Sequence, residues 1–195
     1  MTVRLERLEG ERLRASLDAL AELRIKVFRA FPYLYDGTAE YEKDYLAGFA
    51  SSPMAVVIGA FDAQMLVGAA TASPMSDQDE DFQDRVRGAG IDPATLFYFG
   101  ESVLLPRYRG RGVGHGFFDG RERAARERGA EGAMFAAVVR PDDHPSKPKD
   151  YRPLDAFWRS RGYAPVAGLI TEISWREIGE ASESPKQLQC WMRRW

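Results

Sequence analysis

Apolar and polar residues alternate at the start of the chain. Val3 and Leu5 against Arg4 and Glu6 predict a short strand over residues 2–8. From 11 to 31 the period changes: Leu13, Leu17, Leu20, Leu23, Val27, Phe28 and Phe31 recur at steps of three and four, one face of an amphipathic helix ending before Pro32. The segment from Phe31 to Gly37, FPYLYDG, is an aromatic-rich turn. A second helix starts near Thr38, a candidate N-cap, and sets Tyr41, Tyr45 and Phe49 along one side until Ser51-Ser52-Pro53 stops it. Two apolar runs, 54–61 and 65–72, flank Asp62-Ala63-Gln64 and read as a β-hairpin.

The stretch 75–95 carries Asp77, Asp79, Glu80, Asp81 and Asp84 among few apolar residues, which predicts a solvated acidic insertion with a short helix. A strand follows over 96–105 (LFYFGESVLL), then a helix over 113–128 stopped by Gly129, and a strand over 133–139. After a Pro- and charge-rich loop, 140–152, a short helix spans 153–161 between Pro153 and Gly162. Alternating stretches at 169–175 and 187–193 read as an antiparallel pair. The order β-α-α-β-β-β-α-β-α-β-β predicts a mixed α/β fold with helices on both faces of a central sheet. With no internal repeat and no linker, residues 1–195 form a single domain.

Composition narrows the function classes. The 195 residues carry 27 Lys and Arg against 29 Asp and Glu, a net charge of −2, so nothing provides the broad positive field of a nucleic-acid binder. No run approaches the ~18 apolar residues of a membrane span, and MTVRLERLEG lacks the apolar core of a signal peptide. The expectation is a cytoplasmic protein. Cys190 has no cysteine partner, and two histidines with one cysteine do not make a zinc pattern, so no metal is expected.

The sharpest signal is the turn Arg109-Gly110-Arg111-Gly112-Val113-Gly114 between a buried strand and a helix. Glycines there admit positive φ and close approach of a ligand, and a helix N-terminus offers unpaired N–H groups, so the turn suits a polyphosphate. Arg107, Arg109 and Arg111 add charged donors. A dinucleotide fingerprint fails on spacing, since the third glycine position falls on His115 or Phe117, and no lysine completes a Walker loop. The pattern that fits is R/Q-x-x-G-x-G/A, at Arg109, Gly112 and Gly114.

With that motif the chain resembles the GNAT acetyltransferase superfamily. Leu104-Leu105-Pro106 is similar to the end of the family's fourth strand, and Phe157-Trp158-Arg159-Ser160-Arg161-Gly162-Tyr163 to its aromatic-Tyr-x-x-x-Gly-Phe helix. The resemblance implies a mixed, mostly antiparallel sheet of about seven strands flanked by helices. It implies acetyl-CoA as cofactor, its pyrophosphate on backbone amides from Arg109 to Gly114, including Arg111 and Val113, and its pantetheine arm on the backbone of Leu104 and Leu105. Phe157 and Trp158 are expected on the coenzyme side.

Glu101 lies in an apolar strand and shares a face with Phe97, Phe99, Val103 and Leu105 unless a bulge intervenes. Such a carboxylate is either a pocket-lining base or a partner of an arginine at the sheet's edge. The resemblance favours the base, which takes the amine proton, while a backbone N–H near Leu105 would hold the developing oxyanion. One departure stands out: the family's proton-donating tyrosine falls on Trp158, whose indole N–H is no such acid. Tyr151 is the substitute candidate.

By the same resemblance, Tyr33, Tyr35 and Asp36 border the acceptor site, where aromatic walls and a carboxylate suit a cationic amine, or they anchor the turn to the core. His144 reads as a surface residue, His115 as a helix-start residue and Cys190 as core. Trp175, Trp191 and Trp195 fit either the core or the cover of a homodimer surface. Three functions remain: acetyl transfer to the primary amine of a small molecule, acyl-CoA sensing without turnover, and protein or peptide N-acetylation.

Overall fold

The computed structural model describes residues 3–195, so Thr2, the first residue of the expected opening strand, lies outside the described residues. Strands β1 (Arg4–Leu8), β2 (Val56–Asp62), β3 (Met65–Pro74), β4 (Leu96–Leu104), β5 (Gly132–Val138), β6 (Ala164–Trp175) and β7 (Ser184–Arg194) form one sheet in the order β1-β2-β3-β4-β5-β7-β6. Among the described residues only the β4–β5 pair is parallel. The sequence expectation of a mixed, mostly antiparallel sheet of seven strands holds.

Helices α1 (Gly10–Arg14), α2 (Leu17–Phe28), α3 (Ala39–Ser51), α4 (Glu80–Gly88), α5 (Val113–Glu127) and α6 (Asp155–Ser160) complete the fold. Helix α5 packs Phe117 and Phe118 onto Phe97, Phe99 and Phe135 on one face of the sheet. Helices α1 to α3 pack Leu13, Leu20, Leu23 and Leu46 onto Val57 and Val103 on the other. Covered on both faces, β2 and β3 read as continuous apolar runs instead of alternating ones.

Three expectations need correction. The helix expected over 11–31 is two helices: at Ser16 the hydroxyl turns back to the Arg12 carbonyl at 2.9 Å and the chain bends before α2. The acidic segment is not simply solvated, because α4, capped by Asp79 on the Phe82 N–H at 2.9 Å, buries Phe82 and Val86 against Met75, Leu96, Met134 and Cys190. Its acids occupy the outer face alone. Strand β6 begins at Ala164, five residues before the expected start, with an irregularity between Pro165 and Ile170 where Gly168 takes φ 74°.

The feature that shapes the site is a bulge in β4. Ala70 pairs with Ser102 and Ala72 with Phe99, so Gly100 and Glu101 together face the single residue Thr71. The extra residue reverses the side-chain alternation. Phe97 and Phe99 point toward α5, whereas Glu101 and Val103 point toward α2, so Glu101 does not share the face of Phe97 and Phe99. The Glu101 N–H donates to Thr71 Oγ1 at 3.1 Å, and Arg121 of α5 donates through Nη1 to the Thr71 and Glu101 carbonyls at 3.3 and 3.4 Å. Gly100 is required for space: a Cβ there would lie 2.5 Å from Thr71 Oγ1.

Gly100→Ala is therefore expected to cost about 1–3 kcal/mol through overpacking and distortion of the bulge. At about 2–4 °C per kcal/mol for a chain of this size, thermal unfolding followed by circular dichroism should register a lowered midpoint. An unchanged midpoint would mean that the strand relaxes and the bulge is not pinned by Thr71.

Candidate active site

Beyond the Tyr98–Met134 pair, β4 and β5 no longer pair. The sheet splits there. The Leu105 N–H donates to the Val67 carbonyl of β3 at 2.9 Å, so by antiparallel alternation Val103 also addresses β3, while the main-chain groups of Ser102 and Leu104 face the opening toward β5. This corrects two expectations about Leu105. Its N–H is consumed inside the sheet, so it offers neither a pantetheine partner nor an oxyanion donor. Leu104 remains on the open edge, and Ser102 joins it.

The glycine turn lies where β4 delivers the chain to α5. Gly110 and Gly112 adopt φ of 72° and 80°, with Gly112 as the helix N-cap, and side chains built on either would meet nothing within 4 Å. Their glycines therefore serve backbone conformation on an open surface. The first helical amides, Val113, Gly114 and His115, have no intrahelical acceptor and point outward at the positive end of the helix dipole. Arg109 folds back, its Nε donating to the Leu104 carbonyl at 3.2 Å, and thereby fixes the strand-to-turn corner; Arg111 is exposed.

Helix α6 splits its two aromatic residues. Phe157 reaches the turn, 4.9 Å from the His115 ring, and is the nearest neighbour of a Cβ built on Gly114 at 3.5 Å. Trp158 does not reach the turn: it packs on Phe135 at 5.0 Å and Trp191 at 5.1 Å. Trp191 and Trp175 are buried in the folded chain's own packing, and Trp195 lies half-buried under Arg126 with its Nε1 donating to the Ala130 carbonyl at 2.8 Å. Cys190 is fully buried, and burial pushes its thiol up to about 12.

On the opposite face of the sheet, Glu101 meets Arg24 of α2, and Arg24 also meets Glu42 of α3. Glu42 is completely buried and the other two are at most 9% exposed. The arginine partner that the sequence left open exists, although β4 is the central strand and not an edge. Two carboxylates share one guanidinium, so the formal sum of the cluster is one negative charge. Burial alone would lower the Arg24 guanidinium, but the charges of Glu101 and Glu42 outweigh it and raise it. Four tyrosines feel the cluster: Tyr45 is raised chiefly by the Glu101 charge, and Tyr33 (to about 12), Tyr35 and Tyr98 chiefly by burial. All stay neutral phenols at physiological pH.

The aromatic turn is tied down at both ends. Tyr33 stacks near Phe28 at 4.5 Å and its carbonyl accepts from Trp175 Nε1 at 3.0 Å. Asp36 is engaged by Arg29 and Arg176, each at 3.0 Å, and is not a free carboxylate for a cation. Tyr151 packs edge-on against Phe31 at 4.7 Å beside this turn, its phenol raised by burial and by Asp155. His144 lies in the same loop, where its Nδ1 accepts from the Ser146 N–H at 3.1 Å.

A cleft of about 510 Å³ opens on this face between α3 and the bulge, with Asp44, Tyr45, Asp77, Tyr98 and Gly100 in its wall. Among the described residues its lining includes two carboxylates and no cationic side chain. Sequence reasoning missed Arg24, Glu42 and Arg121. The available signal was a charge at a core position: Arg24 sits amid Leu20, Leu23 and Phe28, and Arg121 amid Phe117, Phe118, Ala124 and Ala125.

The sequence matches no family model and no curated protein. Solved structures do share the fold. A GNAT-family acetyltransferase of Streptococcus pneumoniae superposes with a TM-score of 0.60 at 11% identity over 100% of both chains. A ribosomal-protein-alanine N-acetyltransferase of Brucella melitensis gives 0.61 at 15%, again over 100% of both. A Salmonella typhimurium protein solved with its cofactor acetyl-CoA gives 0.61 at 9%, over 100% of this chain and 94% of that one. The chain has the GNAT fold.

Removing the shared guanidinium tests the charge cluster. Arg24→Met should cost about 3–5 kcal/mol in urea unfolding, because two buried carboxylates lose their counter-ion. Adding Glu42→Gln should recover part of that loss. A cost below about 1 kcal/mol, the range of exposed pairs, would mean that water already screens the cluster.

Proposed function

We propose that the chain is an N-acetyltransferase that moves an acetyl group from acetyl-CoA to the primary amine of a small cationic molecule by direct attack. The observation that carries this reading is the parting of β4 from β5 beside the glycine turn. An open strand edge and a set of unpaired helix-start amides there fit the two halves of one ligand, amide-bearing arm and pyrophosphate. Ser102 and Leu104 would hold the arm, and the turn from Arg109 to Gly114, including Gly110 and Arg111, the pyrophosphate, with Phe157 closing over it.

The coenzyme supplies an acetyl thioester, whose carbonyl carbon takes up the amine nitrogen while the C–S bond breaks and its electron pair leaves with sulfur. Glu101 accepts the proton that the ammonium must lose before its nitrogen has a lone pair to give, directly or through water. The single excess negative charge of Arg24, Glu42 and Glu101 draws a cation toward that carboxylate. Tyr45 adds an aromatic face for it in the cleft, where Asp44 and Asp77 extend the negative lining outward, while Tyr33 and Tyr35 lie outside the cleft wall and pack against the α2–α3 core. Tyr151 is the candidate proton donor in place of the indole of Trp158.

One observation favours a second reading, an acyl-CoA-binding sensor without turnover: Glu101 is engaged by Arg24, and Trp158 is committed to the aromatic core. Titration calorimetry with CoA and acetyl-CoA, followed by thiol release over an amine panel, separates the two. An acetyltransferase should bind both, release thiol with a basic amine, and lose about 10²–10⁴-fold in turnover on Glu101→Gln with coenzyme binding retained. Binding without release on any amine would favour the sensor, release only with N-terminal peptides would move the acceptor to protein, and no binding would overturn the reading of the turn.

A further inference from the structure

The mechanism above leaves Arg121 without a chemical role, although its burial is costly. Its side chain is 1% exposed, and among the described residues no carboxylate lies within ion-pair distance of it. Its neighbour Glu122 is occupied by Arg161 and Arg193. The guanidinium stands 4.5 Å from the Phe99 ring centre and 4.8 Å from that of Phe118, and its Nε has no hydrogen-bond partner. Burial lowers it to about 10, which still leaves it cationic at neutral pH.

Its position gives the charge a use. Phe99 is the first residue of β4 beyond the last pair with β5, and Phe135 is the first of β5. Phe118 bridges the two, 6.1 Å from Phe99 and 6.0 Å from Phe135. Arg121 therefore lies on the α5 side of β4, bonded to the Thr71 and Glu101 carbonyls at the β3–β4 bulge, about one strand spacing from the opening between β4 and β5. A hydrocarbon would fill this space at far lower cost if packing were the only demand. A cation without a direct ion-pair partner, felt by Glu101 and Glu122 only at a distance, instead raises the potential of the opening near it.

We propose that Arg121 is a positioning residue of the acyl-transfer site: it fixes the bulge that presents Glu101 and sets a positive potential in the β4–β5 opening that favours anionic sulfur. This rests on the proposed coenzyme and supplies what the Trp158 position lacks. A leaving group that is stabilised as the thiolate has less need of a proton donor. Glu101 is thereby held from both faces of the sheet, its carbonyl by Arg121 and its carboxylate by Arg24.

The test reads the sulfur itself and needs no acceptor amine. Thiolate absorbance of the protein–CoA complex is titrated against the complex with desulfo-CoA, which cancels the tyrosines; the thiol of Cys190 is common to both. In the wild type the bound thiol should ionise at lower pH than the thiol of free CoA titrated alongside it. Arg121→Met should reduce its thiolate fraction about tenfold at fixed pH, the equivalent of one pKa unit, and Arg121→Lys should restore most of it. A wild-type titration identical to free CoA would overturn the proposal even if the Met variant failed to fold, and so would a Met variant that titrates like the wild type. Absence of CoA binding in calorimetry would overturn the coenzyme reading on which it stands, a separate and distinguishable result.

Discussion

The site depends on a single irregularity, the two residues of β4 that face one residue of β3. Without it, Glu101 would point with Phe99 into the aromatic packing under α5, away from Arg24 and the α2–α3 face. With it, the carboxylate emerges on the α2 face beside Arg24. The bulge is a costly local structure, because an unpaired main-chain donor or acceptor in a buried strand forfeits on the order of 1–3 kcal/mol. Here Thr71 Oγ1 takes the Glu101 N–H, and Arg121 donates to the buried Thr71 and Glu101 carbonyls. Three side-chain choices on three elements, Thr71, Gly100 and Arg121, serve this one turn of the strand.

From that constraint the division of charge across the sheet follows. The α2–α3 face holds two carboxylates on one guanidinium and a cleft walled by Asp44 and Asp77; on the α5 face Arg121 has no carboxylate within ion-pair distance among the described residues, while Glu122 is taken by Arg161 and Arg193. The opening between β4 and β5 joins the two faces. Under the proposed reaction, a cationic acceptor would be drawn to the negative side and an anionic coenzyme to the side where α5 begins. That proposed reaction would move a proton toward the carboxylates and an electron pair toward sulfur.

The sequence carried the architecture far better than the electrostatics. Element order, the hairpin at Ala63 and the glycine turn were legible because each has a local cause: a period, a turn, a left-handed glycine. Helix α4 was underestimated because Phe82 and Val86 are few, although they sit on one face. Parity was the point of failure for Glu101. One inserted residue changes every face assignment beyond it, and only Gly100 hinted that the strand was interrupted there. Leu105 went wrong for a related reason, since which amides face the opening depends on register, a property of two strands and not of one.

Buried charges were the least visible because their meaning lies in the partner. Arg24 and Glu42 stand 18 residues apart on different helices, and each looks like an ordinary solvated helix charge until the helices meet. Arg121 differs, as its cost is visible at once and its use only from topology. A charge kept at an apolar helix position against its own desolvation cost has two ordinary explanations, a carboxylate partner or a ligand's charge. Arg24 has the first on both sides. Arg121 has only main-chain carbonyls and two ring faces within reach, its Nε stays unpartnered and nothing pairs its charge directly, so the second explanation, a ligand's charge, is the one the proposed coenzyme would supply.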